Sequence, residues 1–306
     1  MRAMKRRILS IGECMVELSP TREGLWKLGF AGDTLNTAWY LRARLGVDWT
    51  VAYYTRLGTD PFSEEALAFL RTGDIDTTEI QRDPSRSMGL YAISLDEGER
   101  SFTYWRGQSA ARRLANDPAH LKAALNRAEM AYFSGITLAI LPPEGRDALI
   151  KALQAFRAKG GRVAFDPNIR ERLWEDHGAL RAGLSRAAEV SDIVLPSFED
   201  ERKWFGDVDP AATRARYAAL GAREIVVKNG GGEMCLWRAG EPIRYVSYPE
   251  VRPIDTTGAG DSFNGGYLTA RLSGEALGAA AKAAHDLAAR VVQHPGALMP
   301  QADCRR

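Results

Sequence analysis

Short apolar runs recur along the chain, and most of them end at Gly, Asp, Asn or Ser just before a segment of helical periodicity. A run of this kind is typical of a buried strand. The predicted strands are residues 7–11, 51–55, 130–133, 162–165, 193–195 and 225–227. The predicted helices between them are residues 33–45, 64–71, 144–159 and 209–220. This alternation predicts an α/β fold with a mostly parallel sheet covered by helices on both faces.

Two regions depart from this alternation. Residues 14–18 form a second apolar run close behind the first strand, and residues 90–95 and 101–106 alternate around a turn at 96–99. The period of two predicts a β-hairpin. The side chains predicted on one face are Phe102, Tyr104 and Arg106, and those predicted on the other are Tyr91, Ile93 and Leu95.

We therefore expect one α/β domain over residues 1–306, with lid insertions at about 13–32 and 86–108, because no linker or internal repeat divides the chain. Ligands of such folds bind at the carboxyl ends of the strands. Both faces of the predicted hairpin are apolar or aromatic, so we also expect a homo-oligomer that associates through the lid.

Charge and composition exclude several classes of protein. The 306 residues carry a formal net charge of +2, which gives no electrostatic argument for a nucleic acid or an anionic membrane as partner. The three cysteines lack CxxC spacing and the four histidines are scattered, which argues against a disulfide framework or a zinc site.

Targeting signals are not evident either. The basic start, residues 1–7, is not followed by the apolar stretch of a signal peptide, and the mostly apolar run at 130–141 is too short to span a bilayer. We expect a cytoplasmic protein.

The strongest chemical signal is the string DTTGAGDSF at 255–263. Gly258 and Gly260 flank Ala259, so successive backbone N–H groups can converge on an anion at the start of the helix that follows. Asp261 then lies in the first turn, where its carboxylate can take a hydroxyl proton as general base. The alternative is a glycine-rich turn in which Asp261 only caps the helix.

This string resembles the carboxyl-terminal signature of the ribokinase-like (PfkB) carbohydrate kinases, and the resemblance extends over nearly the whole chain. FAGDTLNTA at 30–38 is similar to the family's sugar-binding turn, and LGTDPF at 57–62 to a further segment, although Ser63 replaces its trailing Gly. IGECMVEL at 11–18, the GDTLN turn and YWR at 104–106 resemble family members that act on 2-keto-3-deoxygluconate. The fold implied is a three-layer α/β domain with a mostly parallel sheet and a small β-sheet lid.

The resemblance also implies roles for individual residues. Asp261 matches the catalytic base, and Gly258, Ala259 and Gly260 match the anion hole. The residues implied in sugar contacts are Gly32, Asp33, Thr34, Leu35 and Asn36. Those implied at the keto-acid end are Tyr91, Tyr104, Arg106 and Arg170. A guanidinium suits a carboxylate because it can donate two parallel hydrogen bonds; the alternative for Arg106 is a solvated strand residue.

The nucleotide site is expected to use residues that follow predicted strands. They are Asn168, Arg170, Ser197, Lys228, Gly230, Gly231, Gly232 and Glu233, together with Gly258, Ala259 and Gly260. Three glycines after a strand are equally typical of a hairpin turn that leads into residues 234–237. The helical pattern at 275–292 is mostly core, and by resemblance its far end borders the adenine.

Mg²⁺ is expected with ATP because it neutralises the β- and γ-phosphates in such reactions. The family's Asn-x-x-Glu element, which helps to organise this ion, is replaced by SFED at 197–200, with Glu201 beside it. The sequence therefore assigns no metal ligand, and a role for Asp200 or Glu201 stays open.

These observations predict ATP-dependent phosphorylation of 2-keto-3-deoxygluconate to its 6-phosphate. One alternative is a kinase for fructose, ribose or the galacto epimer of the keto-acid. The other is a catalytically silent sugar-binding regulator on the same fold.

Overall fold

The structure, a computed structural model, describes residues 6–21, 23–96 and 99–304. Its strands are β1 (Arg6–Ile11), β2 (Met15–Pro20), β3 (Trp26–Ala31), β4 (Trp49–Tyr54), β5 (Arg56–Leu57), β6 (Gln81–Arg82), β7 (Gly89–Asp96), β8 (Glu99–Trp105), β9 (Met130–Ser134), β10 (Arg162–Asp166), β11 (Ile193–Val194), β12 (Glu224–Val227), β13 (Met234–Arg238) and β14 (Arg244–Val246).

Its α-helices are α1 (Asp33–Arg44), α2 (Pro61–Thr72), α3 (Pro118–Leu125), α4 (Gly135–Ile140), α5 (Pro143–Ala158), α6 (His177–Glu189), α7 (Phe198–Phe205), α8 (Pro210–Ala219), α9 (Ala259–Leu272), α10 (Leu277–Val291) and α11 (Gln301–Cys304). Short 3₁₀ segments lie at Ala110–Arg113 and Glu171–Leu173.

Within the described residues, eight strands form the central sheet, in the order β14-β13-β12-β11-β10-β9-β1-β4. From β12 to β4 all neighbours are parallel, while β13 and β14 are antiparallel additions at one edge. The six strands predicted from apolar runs are those of the parallel part. β14 was not predicted, because its residues are mostly exposed and form no apolar run.

Two apolar cores lie on the two faces of this sheet. Neighbouring residues of β1, Ile8 and Leu9, belong to different cores because side chains alternate along a strand. Helices α1, α2, α9 and α10 contribute to the core of Ile8, and α3 to α6 and α8 to that of Leu9. The predicted three-layer α/β architecture is confirmed.

A separate small sheet covers one end of the central one. Among the described residues its strands have the order β3-β2-β7-β8, with β2 and β7 parallel and the outer pairs antiparallel. These strands fall within the predicted insertions, although β3 itself was not predicted. Of the predicted turn at 96–99, Glu97 and Gly98 lie outside the described residues. We call this sheet the lid.

The predicted division of the hairpin side chains between two faces was wrong. Tyr91 is directly opposite Tyr104 in the β7–β8 register, and Ile93 is opposite Phe102. Directly opposed residues of an antiparallel pair lie on one face. The Tyr91 ring accordingly lies 5.7 Å from that of Tyr104 and 6.1 Å from that of Phe102, between ring centroids. The alternation within each strand was correct, but the register between strands decides which side chains share a face.

Nowhere in the described ranges is a helix both long and apolar enough to cross a membrane. Residues 1–5, which contribute to the prediction that a signal peptide is lacking, lie outside the described part of the chain.

Candidate active site

Helix α9 begins at the predicted glycine-rich string. Gly258 is its N-cap and has left-handed backbone angles, with φ 77°. A Cβ atom at Gly258 would lie 2.7 Å from the carbonyl oxygen of Ala297, so glycine is required for both its conformation and its close approach. No side chain caps this helix, so Asp261, in the first turn, is not the cap that the alternative interpretation assumed.

The first-turn N–H groups of a helix have no intrahelical acceptor and favour an anion. The N–H of Ala259 already donates to the carbonyl oxygen of Thr256, at 3.2 Å. A Cβ atom at Gly260 would have only the Lys228 ammonium close to it, at 3.7 Å, so a cation lies beside this open turn. The turn therefore suits an anion such as a phosphoryl group, and the Ala259 amide is the least available of the predicted donors.

The Asp261 carboxylate lies in a desolvated, acidic environment. Its Oδ2 accepts a hydrogen bond from Asn36 Nδ2 at 2.8 Å. Burial, followed by the negative charges of Asp33 and Asp166, raises the pKa of Asp261 to about 7, although Asn36 and Lys228 oppose the shift. A pKa near neutrality is suited to a general base, which must be ionised yet retain proton affinity.

A buried polar cluster supports this carboxylate from the ends of β10 and β12. Lys228 Nζ donates to Asp166 Oδ2 at 3.3 Å and to Asn264 Oδ1 at 3.1 Å, and Asn264 Nδ2 donates to Asp166 Oδ2 at 2.6 Å. Asn168 Nδ2 donates to Asp33 Oδ2 at 2.9 Å. Burial is the largest of the effects that raise the pKa of Asp33.

Asp166 and Asn264 were missed as site residues. Asp166 directly follows the predicted strand at 162–165, which is a position at the ligand edge, and in the structure it is the last residue of β10. Asn264 follows Asp261 by three residues, so it lies on the same side of α9.

The lid region contributes two further hydrogen-bonded pairs. In the first, Tyr91 donates its hydroxyl to Glu17 Oε2. The Arg106 guanidinium is buried and donates from Nε to Glu13 Oε2 at 2.8 Å, with a second, shorter contact from Nη2. Arg106 is therefore not a solvated strand residue. Glu13 was missed, although a charged residue just behind the first buried strand lies at the predicted ligand edge.

One cavity of about 880 Å³ collects most of the predicted residues. Those that line it are Gly32, Asp33, Asn36, Tyr91, Tyr104, Arg106, Asn168, Arg170, Ser197, Lys228, Gly258, Ala259, Gly260 and Asp261. Further lining residues that the sequence analysis did not single out include Met15, Phe102, Asp166 and Arg172. Residues predicted to contact the sugar and residues predicted to contact the nucleotide thus line the same cavity.

The structure does not bring two predicted sugar contacts to this cavity. Thr34 and Leu35 are fully buried in α1. Leu35 belongs to an apolar core, and the Thr34 hydroxyl lies 2.9 Å from that of Tyr53. Because side chains on a helix point in different directions, only part of the GDTLN turn faces the ligand side.

The glycine run at 230–232 and Glu233 do not line the cavity either. They connect β12 to β13, which pair antiparallel with Val227 opposite Cys235. The structure thus shows the hairpin turn that the sequence left as an alternative. A contact of this turn with ATP stays a prediction.

The two acids considered for Mg²⁺ point in different directions. Asp200 lines the cavity, with one carboxylate oxygen 3.9 Å from Arg170 Nη1, and burial raises its pKa. Glu201 is buried and accepts hydrogen bonds from Arg216 Nη2 at 2.6 Å and from the Tyr217 hydroxyl at 2.9 Å. Glu201 is therefore committed to a structural ion pair, and only Asp200 can approach a cavity ligand.

The chain matches the family model "pfkB family carbohydrate kinase" over residues 5–303. It is 39% identical over 305 residues to the 2-dehydro-3-deoxygluconokinase of Escherichia coli K12, covering 97% of this chain and 98% of the relative. It is 32% identical over 271 residues to a fructokinase of Escherichia coli, covering 87% of this chain and 84% of the relative.

Solved structures agree with this relationship. A PfkB protein from Polaromonas sp. JS666 superposes with a TM-score of 0.84 at 29% identity, with 98% of each chain covered. A putative ribokinase II from E. coli in complex with ATP and Mg²⁺ also gives a TM-score of 0.84, at 25% identity, covering 98% of this chain and 97% of the other. The chain therefore belongs to the pfkB family of carbohydrate kinases.

Proposed function

We propose that this carbohydrate kinase transfers the γ-phosphoryl group of ATP to the terminal hydroxyl of 2-keto-3-deoxygluconate and so forms the 6-phosphate. The observation that carries the proposal is a single cavity that holds Asp261 at a helix N-terminus together with the guanidinium groups of Arg106, Arg170 and Arg172. The 39% identity to 2-dehydro-3-deoxygluconokinases supports the choice of acceptor.

Asp261 is the general base in this proposal. As the acceptor oxygen bonds to the γ-phosphorus, its proton passes to the Asp261 carboxylate and the bond from phosphorus to the ADP oxygen breaks. The hydrogen bond from Asn36 holds the carboxylate in place through Oδ2, so Oδ1 remains for the acceptor hydroxyl. General-base assistance of this kind contributes roughly 10²- to 10⁴-fold to a rate.

Positive charge for the transferred group comes from the start of α9 and from Lys228. The Lys228 ammonium is close to Gly260 and is held by Asp166 and Asn264, so it does not have to be ordered when the nucleotide binds. Fixed donors that are already oriented stabilise developing charge better than mobile ones.

Mg²⁺ fits this site only as an ion carried largely by phosphate and water oxygens. Within the described ranges no cluster of three or more His, Cys, Asp or Glu side chains could hold a metal. Asp200 is the acid at the cavity that is not already hydrogen-bonded to Lys228, Asn36 or Asn168. When bound, the ion would supply positive charge to the phosphate oxygens.

We assign the acceptor's carboxylate to the lid end of the cavity, near Arg106 and Arg170. The Arg170 side chain is 53% exposed and its nearest acid, Asp200, is 3.9 Å away. Its Nη1 donates to the carbonyl oxygen of Ile169 at 2.8 Å, which leaves its other N–H groups for a ligand. Arg106 lies beside the Tyr104 ring, 5.6 Å from its centroid, which limits the directions it can take. Closure of the lid over both would exclude water as a competing acceptor.

The proposal predicts that turnover depends on pH through Asp261. The carboxylate must be ionised to accept the proton, so kcat/KM for the acceptor should fall about tenfold per pH unit below about 7 and level off above it. Initial rates between pH 5 and 9, measured by ADP release, check this. A midpoint near 4, the usual value for an aspartate, would contradict the assigned environment.

The decisive assay measures ADP release with ATP, Mg²⁺ and four acceptors: 2-keto-3-deoxygluconate, its galacto epimer, fructose and ribose. A higher kcat/KM for the keto-acids supports the proposal.

The second candidate, a neutral-sugar kinase, is favoured by the 32% identity to a fructokinase and by the pairing of Arg106 with Glu13. Turnover of neutral sugars alone would establish it, and turnover of none of them would point to a sugar-binding regulator.

We also propose that copies of the chain associate through the lid. Trp26 and Trp105 are on the lid and are 53% and 59% exposed, and Leu25, which directly precedes β3, is 63% exposed. Burial of such side chains against a second copy would stabilise a dimer. Light scattering of the purified protein measures this, and a monomer at micromolar concentration would contradict it.

A further inference from the structure

The ion pair between Glu13 and Arg106 joins the segment behind β1 to the end of β8. Glu13 is 1% exposed and Arg106 is 8% exposed. Arg106 lines the acceptor end of the cavity, whereas Glu13 is behind it and has no part in the chemistry proposed above. A buried carboxylate thus compensates the guanidinium to which the acceptor's carboxylate is assigned.

The two carboxylate oxygens of Glu13 are unequally hydrogen-bonded. Both hydrogen bonds from Arg106 go to Glu13 Oε2, while Glu13 Oε1 is buried and has no hydrogen-bond partner. Gly89 makes room for this arrangement, because a Cβ atom there would lie 2.8 Å from Glu13 Oε1 and 3.2 Å from Arg106 Cβ. An arginine has five N–H donors, so Arg106 can hold Glu13 and still offer donors to a second carboxylate.

The other cations that line the cavity are either paired with a different acid or exposed to solvent. Lys228 is held by Asp166, at the opposite end of the acceptor. Arg170 and Arg172 are exposed, so solvent screens their charges. Arg106 is the desolvated guanidinium, and a desolvated charge discriminates most strongly between an anionic and a neutral ligand.

We propose that Glu13 is a specificity-determining residue, which competes with the acceptor's carboxylate for Arg106 and thereby sets how strongly the site prefers a sugar acid to a neutral sugar. The proposal rests on the function proposed above. Glu13 keeps the buried guanidinium compensated and in place before the acceptor binds, since an unpaired buried charge is strongly destabilising. Its negative charge persists after binding and reduces the attraction for the incoming anion.

The test is Glu13→Gln, which keeps the shape of the side chain and an oxygen for Arg106 but removes the charge. We expect the KM for 2-keto-3-deoxygluconate to fall about tenfold. A tenfold change corresponds to about 1.4 kcal/mol of charge interaction. The KM for ATP should be unchanged and kcat should stay within about threefold, because Glu13 touches neither reacting atom. Glu13→Asp keeps the charge and should not lower the KM.

Glu224→Gln is the matched control. Glu224 is also a buried acid, 6% exposed, and accepts hydrogen bonds from Arg271 Nη2 at 2.7 Å and from Nε at 2.9 Å. It begins β12, four residues before Lys228 and hence about 13 Å from the ligand edge. This variant loses an equally buried charge and should leave both KM values unchanged.

An unchanged or higher KM for the keto-acid in Glu13→Gln, with Glu224→Gln unchanged, would overturn the role of Glu13 and leave the proposed function intact. A wild-type enzyme that phosphorylates only neutral sugars would overturn the proposed function and this proposal with it.

If Glu13→Gln does not fold, thermal unfolding will show it. The comparison is then between Arg106→Leu and the double variant Glu13→Gln/Arg106→Leu, and the double variant should bind the keto-acid more tightly because the uncompensated carboxylate is gone. Equal binding by the two would overturn the proposal.

Discussion

Replacement of Asp261 by Asn is expected to lower kcat by about 10³-fold or more, while the acceptor's dissociation constant changes by less than about threefold. The amide has nearly the shape of the carboxylate and can still accept the hydrogen bond from Asn36. It cannot take a proton from the acceptor hydroxyl, so only the chemical step is affected. Single-turnover rates and calorimetric titration of the acceptor measure the two effects separately.

The same variant should be more stable than the wild type at alkaline pH. Because the pKa of Asp261 is raised to about 7 in the fold, the native state binds this proton more tightly than the unfolded chain does. Stability is therefore present at low pH and is lost as the pH rises through 7. Asp261→Asn removes this loss. We expect it to gain on the order of 4 kcal/mol at pH 8, because the shift is about three pKa units at about 1.4 kcal/mol each, and almost nothing at pH 4.

Asp209→Asn is the control for both measurements. Asp209 is exposed and caps α8 by accepting a hydrogen bond from the N–H of Ala212 at 2.7 Å. Asparagine caps helices as well as aspartate does, so stability and turnover should both stay near those of the wild type. An active Asp261→Asn enzyme would show that another group takes the proton.

Arg106→Leu is expected to raise the KM for 2-keto-3-deoxygluconate by about 100-fold and to raise the KM for a neutral sugar by less than about threefold. Two causes add: the acceptor loses a charge-assisted hydrogen-bond donor, and Glu13 is left as a buried charge without its counter-ion. Losses of about 2–5 kcal/mol are usual when one partner of a buried charge pair is truncated. Steady-state kinetics with both classes of acceptor provide the measurement.

Arg271→Leu separates this specificity effect from a general loss of stability. It also removes the nearer arginine of a buried glutamate, Glu224, and leaves Arg238 Nε 3.8 Å from the carboxylate. It should therefore lower the thermal midpoint, as Arg106→Leu does, yet leave the KM for the keto-acid unchanged. If Arg106→Leu weakens acidic and neutral acceptors equally, Arg106 does not contact a carboxylate.

The local structure of this protein could be predicted from its sequence. Apolar runs that end at polar residues predicted the six parallel strands, because strands buried on both faces are mostly apolar along their length. The string at 255–263 predicted a helix N-terminus with Asp261 in its first turn, since glycine flexibility and the unpaired amides of a helix start are properties of neighbouring residues. The family resemblance added the roles, and most of the residues concerned line one cavity.

Tertiary structure alone decided which of these groups meet. Arg106 is 93 residues from Glu13, and Asp166 is 62 residues from Lys228 and 98 from Asn264. No period along the chain encodes such pairs, because they depend on how strands align across the sheet and how helices pack on it. For the same reason the alternation within β7 and β8 was predictable, but the shared face of Tyr91 and Tyr104 was not. The burial of Glu201 against Arg216 was likewise not predictable from the sequence. Residue type and local period therefore determined the fold class and the glycine-rich turn at 255–263, while strand register and packing decided the charge balance around Asp261 and Arg106.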